Sequence, residues 1–172
     1  MKIIFLDVDG VLNNQLWYRS QEFRQGQSKE QYDLSQFDPR CVELLNSLIA
    51  DTKAKIVVSS SWRIGRTVDE LKDLFEKVGI VGDVIDKTPK LYFSADGYDR
   101  SVPRGCEIKA WLENNKSILG SKMSKVNYVI LDDDSDMLYW QREHFVQTDP
   151  YMGITPTVIF KAKSILHKYE SI

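Results

Sequence analysis

Ile3-Ile4-Phe5-Leu6-Asp7-Val8-Asp9-Gly10-Val11 stands near the start of the chain, and its reading decides the fold. Four consecutive apolar residues lack the alternation of a half-exposed strand and the length of a helix. They read as a strand buried on both faces, the kind found in parallel sheets covered by helices. Two carboxylates follow its C-terminal end, on either side of Val8, and Gly10 then frees the turn. The apolar start imitates a secretory leader, but Asp7 stops it short of the ~7–15 residues such a leader needs.

Working outward, the chain alternates short apolar runs with amphipathic stretches. A helix is expected over 39–50, capped by Asp38, opened by Pro39 and striped by Val42, Leu45, Leu48 and Ile49. Strand patterns follow at 55–58, 80–85 (weaker, with a glycine inside) and 128–131, and a further one at 145–147. Helices are expected over 67–78 and 105–115, and from Thr155-Pro156 to about Tyr169. This β-α-β-α order predicts a three-layer α/β/α sandwich of Rossmann-like type around a central parallel sheet. One domain spans 1–172. Two segments break the rhythm, 13–37 and 86–104, about 25 and 19 residues long. Both exceed the usual ~2–6 residues of a βα connection and read as loop insertions.

The composition sets limits. The 172 residues suit one compact core, and 42% hydrophobic with 28% charged residues excludes disordered and fibrous classes. A pI near 5.7 excludes a protein that binds polyanions through bulk positive charge. Two cysteines, Cys41 and Cys106, are too few for a disulfide framework and point to reduced thiols in the cytoplasm. No apolar run approaches the ~20 residues of a membrane span.

In parallel sheets ligands sit beyond the carboxyl ends of the strands. After the first strand come Asp7 and Asp9, after the second Ser59-Ser60-Ser61-Trp62-Arg63, and after the fourth Asp132-Asp133-Asp134-Ser135-Asp136. The fold predicts that these groups converge on one rim. Six aspartates together repel and raise one another's pKa, and a hard cation relieves this. Oxygen ligands favour Mg²⁺, which commonly works with phosphate. Carboxylates, magnesium and hydroxyl donors together point to phosphoryl transfer. Removing these six from the 25 acidic side chains leaves 19 against 23 basic ones, so the remainder is mildly basic and suits a phosphorylated partner.

The ordered set resembles the haloacid dehalogenase (HAD) superfamily of phosphotransferases. Asp7-Val8-Asp9-Gly10-Val11 is similar to its first motif, Ser59 to its second, Arg104 ahead of Gly105-Cys106-Glu107-Ile108 to its third, and Asp132-Asp133 to its fourth. The Ser-Ser-Ser-Trp-Arg string, the Arg-Gly-x-Glu-Ile helix start, Leu-Asp-Asp-Asp and the late Gly-Ile-Thr resemble a narrower group, the phosphatase domains of Swiss Army Knife RNA repair proteins. The resemblance implies a nucleophile at Asp7, a general acid and base at Asp9, phosphate contacts from Ser59 and Arg104, and Mg²⁺ held by Asp7, the Asp9 main-chain oxygen, Asp132 and Asp133. Asp133 is the first choice for direct metal contact. It implies a Mg²⁺-dependent phosphatase working through an aspartyl-phosphate, with an open site suited to a large substrate such as a nucleic-acid 3′-phosphate end.

Alternatives stand beside each reading. Lys109 rivals Arg104. Asp134 and Asp136 read as capping or exposed residues, Trp62 as a packing residue and Arg63 as a surface charge. Trp17, Tyr18, Phe23, Tyr92, Phe93 and Tyr98 either stack on bases or pack the loops down. Arg19, Arg24, Lys87, Lys90 and Arg100 either steer a phosphate chain or belong to a mixed surface. The competing functions are a small-molecule phosphatase or nucleotidase, with 13–37 folded over the site, and a catalytically silent phosphate-binding module.

Overall fold

A computed structural model describes residues 1–26, 32–119 and 126–168. Five parallel strands form the central sheet: β1 (Lys2–Leu6), β2 (Lys55–Val58), β3 (Val84–Lys87), β6 (Asn127–Asp132) and β7 (Phe145–Gln147). Their order is β3-β2-β1-β6-β7. A separate antiparallel ribbon pairs β4 (Tyr92–Ala95) with β5 (Tyr98–Ser101).

The apolar runs are continuous because each strand is covered twice. Ile4, Leu6, Ile56, Val58, Val129 and Leu131 face a core shared with α4 (Pro39–Thr52), α5 (Val68–Lys77) and α8 (Pro156–His167). Ile3, Phe5, Val57, Tyr128 and Ile130 face the other side, against Ile108, Trp111 and Leu112 of α6 (Arg104–Asn114). Three short helices, α1 (Gln15–Tyr18), α2 (Gln21–Gly26) and α3 (Tyr32–Ser35), occupy the first long excursion, and α7 (Lys116–Leu119) follows α6. The final helix ends at His167, and the expected end at Tyr169 lies outside the described residues. Cys41 and Cys106 are unpaired thiols. No described helix is long and apolar enough to cross a membrane.

Two expectations need correction. The third strand begins at Val84, not at residue 80. The Asn46 side chain takes the Val81 N–H and donates to the Gly79 carbonyl, so the chain leaving α5 bonds to α4 rather than to a strand. Pairing with β2 also slips between Ile56 and Val57. Within 86–104, a ribbon stands where a loop was expected. Its turn, Asp96-Gly97, has φ of +53° and +79°, the two left-handed residues of a tight hairpin connection.

Asp38 closes the first excursion. Its carboxylate accepts from the Arg40 N–H at 2.9 Å as the cap of α4 and from Asn14 Nδ2 at 2.8 Å, while its own N–H donates to the Leu12 carbonyl. Arg40 also reaches it at 2.8 Å, and these donors hold its pKa below the usual carboxylate range despite burial. Losing a cap costs about 0.5–2 kcal/mol, and stranding a buried amide about 1–3 kcal/mol. Asp38→Ala is therefore expected to lose about 2–4 kcal/mol in urea unfolding, and Asp38→Asn, which keeps an acceptor for the cap, less than half of that. Equal losses in the two variants would contradict the capping account.

Candidate active site

The strand order reverses at β1, with β2 and β3 to one side and β6 and β7 to the other. In sheets of this kind ligands bind at that reversal, beyond the carboxyl edge. Asp7 follows β1 and Asp132 ends β6, and the Asp7 N–H donates to the Leu131 carbonyl at 3.0 Å. Asp7, Asp132 and Asp133 each place a ligand oxygen within 4.8 Å of the others. Gly10 makes room for this: it has φ +68°, and a Cβ there would lie 2.4 Å from Asp133 Cγ.

Burial, with little water to solvate charge, raises all three carboxyls. Asp7 is pushed up to about 6, mainly by burial, with the Ser60 hydroxyl and then Arg104 pulling against it. Asp132 is pushed up to about 8 by burial and then by the Asp7 charge. Asp133 is raised by burial, with Asp134 and Asp9 adding to it. Asp132 Oδ2 is buried with no hydrogen-bond partner among the described residues. The Arg104 Nε lies 3.7 Å from it, a charge contact too long for a hydrogen bond. A converging all-oxygen set with an unsatisfied buried lone pair fits a hard divalent cation such as Mg²⁺.

Ser59 and Ser60 follow β2 and are both buried. Among the described residues Ser59 Oγ has no hydrogen-bond partner, which leaves it available as a donor beside the carboxylates' edge of the sheet. Ser60 caps the 3₁₀ turn Ser61–Arg63 and acts on Asp7. Arg104 opens α6 and lines the cleft, whereas Lys109 lies exposed on α6 beside Glu113 at 3.9 Å. Asp136 accepts from the Arg104 N–H at 2.7 Å, capping α6 from a distant loop. Asp134 is exposed at the cleft edge.

Asp9 is also exposed, and its carboxylate is held from three sides. Trp62 Nε1 lies 3.1 Å from both oxygens, Asn13 Nδ2 donates to Oδ1 at 2.8 Å, and Ser61 Oγ donates to Oδ2 at 3.4 Å. The packing role expected of Trp62 is thus joined by a polar one. Arg63, expected at the surface, is buried. It donates to the Thr88, Ser60 and Pro89 carbonyls and pairs with buried Glu107. The other Glu107 oxygen accepts from the Leu91 N–H at 3.0 Å. This pair ties the β2 turn, the root of the ribbon and α6 together, one helical turn from Arg104.

The resulting cleft encloses about 600 Å³. Beside the carboxylates it is lined by Arg104, Lys90 and the Tyr92, Asp99 and Ser101 face of the ribbon, and by no described residue of 13–37. The loop aromatics divide. Trp17 and Tyr18 pack edge-on against Phe23, and Trp17 Nε1 bonds to the Ser35 carbonyl. Tyr92, Phe93 and Tyr98 are exposed, and Lys90 Nζ sits 4.8 Å from the Tyr92 ring centroid.

Ser60, Asn13, Trp62, Arg63 and Glu107 were not assigned site roles from sequence. Two signals were present: the Ser-Ser-Ser-Trp-Arg string directly after β2, and an acidic residue one turn into the helix that Arg104 opens.

A protein-family model described as the HAD domain in Swiss Army Knife RNA repair proteins matches residues 3–159, and the chain belongs to this family. Comparisons with curated proteins and with solved structures return no match.

The raised carboxyls fix a pH dependence. Folded Asp7 and Asp132 keep protons that the unfolded chain has released, so they lower stability as pH rises from the usual aspartate range to about 8. A cation that neutralises the cluster opposes this, and competes with fewer protons at higher pH. Mg²⁺ is expected to raise the melting temperature more at about pH 8 than at about pH 5, and not at all in Asp132→Asn. An undiminished Mg²⁺ effect in that variant would refute the site.

Proposed function

We propose that this chain is a Mg²⁺-dependent phosphatase that hydrolyses phosphate monoesters through an aspartyl-phosphate, and that its substrate is a phosphorylated nucleic-acid end. The observation that carries the reading is the convergence of Asp7, Asp132 and Asp133 at the sheet's reversal, facing Arg104. The cation, held by these three carboxylates with the Asp9 main-chain oxygen, would supply charge neutralisation for the bound phosphate.

The remaining roles follow from chemistry and placement. Asp7 sits at the floor of the cleft, and its carboxylate oxygen attacks phosphorus, forming an acyl phosphate as the ester oxygen departs. Ionised Asp7 is required for this, and Arg104 favours that form. Asp9, exposed at the rim, protonates the departing oxygen and then takes a proton from the water that cleaves the acyl phosphate. Ser59 and Arg104 donate to the phosphate oxygens as charge redistributes.

Two observations favour a large substrate. The family is one of RNA repair proteins. The cleft is also bordered by a ribbon whose exposed Tyr92, paired with Lys90, offers an aromatic face and a cation beside the phosphate site. Such a pairing suits a base and its phosphate chain.

Asp7→Asn is expected to lower Mg²⁺-dependent hydrolysis of an aryl phosphate by at least about a thousandfold. Full activity in that variant sinks the mechanism. Stacking is worth about 1–3 kcal/mol per base, so Tyr92→Ala should raise KM for a 3′-phosphorylated oligonucleotide about tenfold more than for an aryl phosphate. Equal changes for both substrates would remove the case for a nucleic-acid end.

A further inference from the structure

Asp9 is held by a tryptophan. The Trp62 indole N–H, a donor with no acceptor capacity, lies 3.1 Å from both carboxylate oxygens. The indole is itself fixed. Its ring meets buried Phe37 edge-on at 5.3 Å, and Phe37 meets Phe75 in the core in the same way. Arg66 covers it at 5.5 Å, donates to the Trp62 carbonyl at 2.9 Å and pairs with Asp33 at 2.7 Å. The second holder, Asn13, is buried and oriented because its Oδ1 accepts the Gly10 N–H at 3.0 Å.

An exposed aspartate on a glycine-containing turn has free rotamers, and a proton donor must present one oxygen at one place. Here a donor rooted in the core takes that freedom away. The geometry points to Trp62 as the positioning residue that orients the Asp9 carboxyl for proton transfer to the leaving oxygen. This rests on the reading of Asp9 as the proton donor. Trp62 does not line the cleft, so the effect assigned to it passes through Asp9.

Proton donation matters in proportion to the basicity of the leaving oxygen. An alkoxide leaving group needs the proton, while a dinitrophenolate leaves without it. The test therefore compares kcat/KM, which ends at departure of the leaving group and excludes hydrolysis of the acyl phosphate. Wild type, Trp62→Phe and Asp9→Asn are measured with Mg²⁺ on a series running from 2,4-dinitrophenyl phosphate through phenyl phosphate to an alkyl phosphate. Trp62→Phe keeps a ring against Phe37 and removes the N–H. A second variant carrying benzothienylalanine at position 62 replaces only the N–H by sulfur, so it serves if the phenylalanine variant fails to fold.

The expected result is a loss that grows with leaving-group basicity, reaching about tenfold for the alkyl ester, in parallel with a steeper loss of about 10²–10⁴ for Asp9→Asn. Equal loss along the series in the position-62 variants, while Asp9→Asn shows the slope, overturns the inference and leaves the mechanism standing. No slope in Asp9→Asn overturns the reading of Asp9 itself.

Discussion

Three carboxyls are forced together where the sheet reverses, and the structure depends on how that repulsion is sustained. Asp7 and Asp132 extend strands paired in fixed register, Leu6 opposite Leu131, with the ladder continuing through the Asp7 N–H. A shift of one residue would exchange the two faces, sending Ile4 and Leu6 into the core packed for Ile3 and Phe5 and the reverse, so the shapes of both cores hold the register. Each fully buried side chain of this kind is worth about 1.5–3 kcal/mol, so the paired strands together outweigh the cost of holding a proton on Asp7 or Asp132. The core sets the register, and the register gathers the charges.

The other face of the cleft depends on a buried ion pair. Arg63 and Glu107 are almost fully enclosed, and such a pair stabilises only when its remaining hydrogen bonds are made. Here they are: three carbonyls accept from Arg63, and the Leu91 N–H donates to Glu107. Those carbonyls belong to the turn after β2 and the root of the ribbon, so the pair joins segments with little apolar surface to hold them. Arg104 also touches Glu107, at 3.4 Å, which places its guanidinium between a buried anion and Asp132.

What the sequence made legible follows from which force dominates locally. The strands at 3–6, 55–58 and 128–131 were readable because apolar burial specifies them, and the helix after Asp38 because its cap and opening proline agree with its apolar stripe. The third strand was displaced because Ile80 is buried without being in the sheet, its neighbours captured by Asn46. The ribbon escaped because Tyr-Phe-Ser-Ala and Tyr-Asp-Arg-Ser pack no face and carry no alternation, although Asp96-Gly97 was a readable turn. The motif aspartates stood out by position after strands. Trp62 and Glu107 fall within the quoted strings, but what they hold was not legible, since a donor across 53 residues and a pair across 44 leave no local trace of the partner.

These contrasts separate the site into two mechanical classes. Of the groups that would meet the phosphate and a cation, Asp7, Ser59 and Asp132 are buried and carried by the sheet, so their spacing is as rigid as the core. The groups that would meet the rest of the substrate, Asp9 and the ribbon's Tyr92, are exposed on turns and need holding. Asp9 receives that support from Trp62 and Asn13. The Tyr92 ring is met by Lys90, while the backbone beneath it is pinned at Leu91 and Val102. An isolated two-stranded ribbon is marginal in water. Anchoring its root keeps it beside the cleft with its aromatic side chains exposed. On the proposed reading, the rigid groups and the held Asp9 would carry the reaction, and the ribbon would be left to distinguish among phosphate esters.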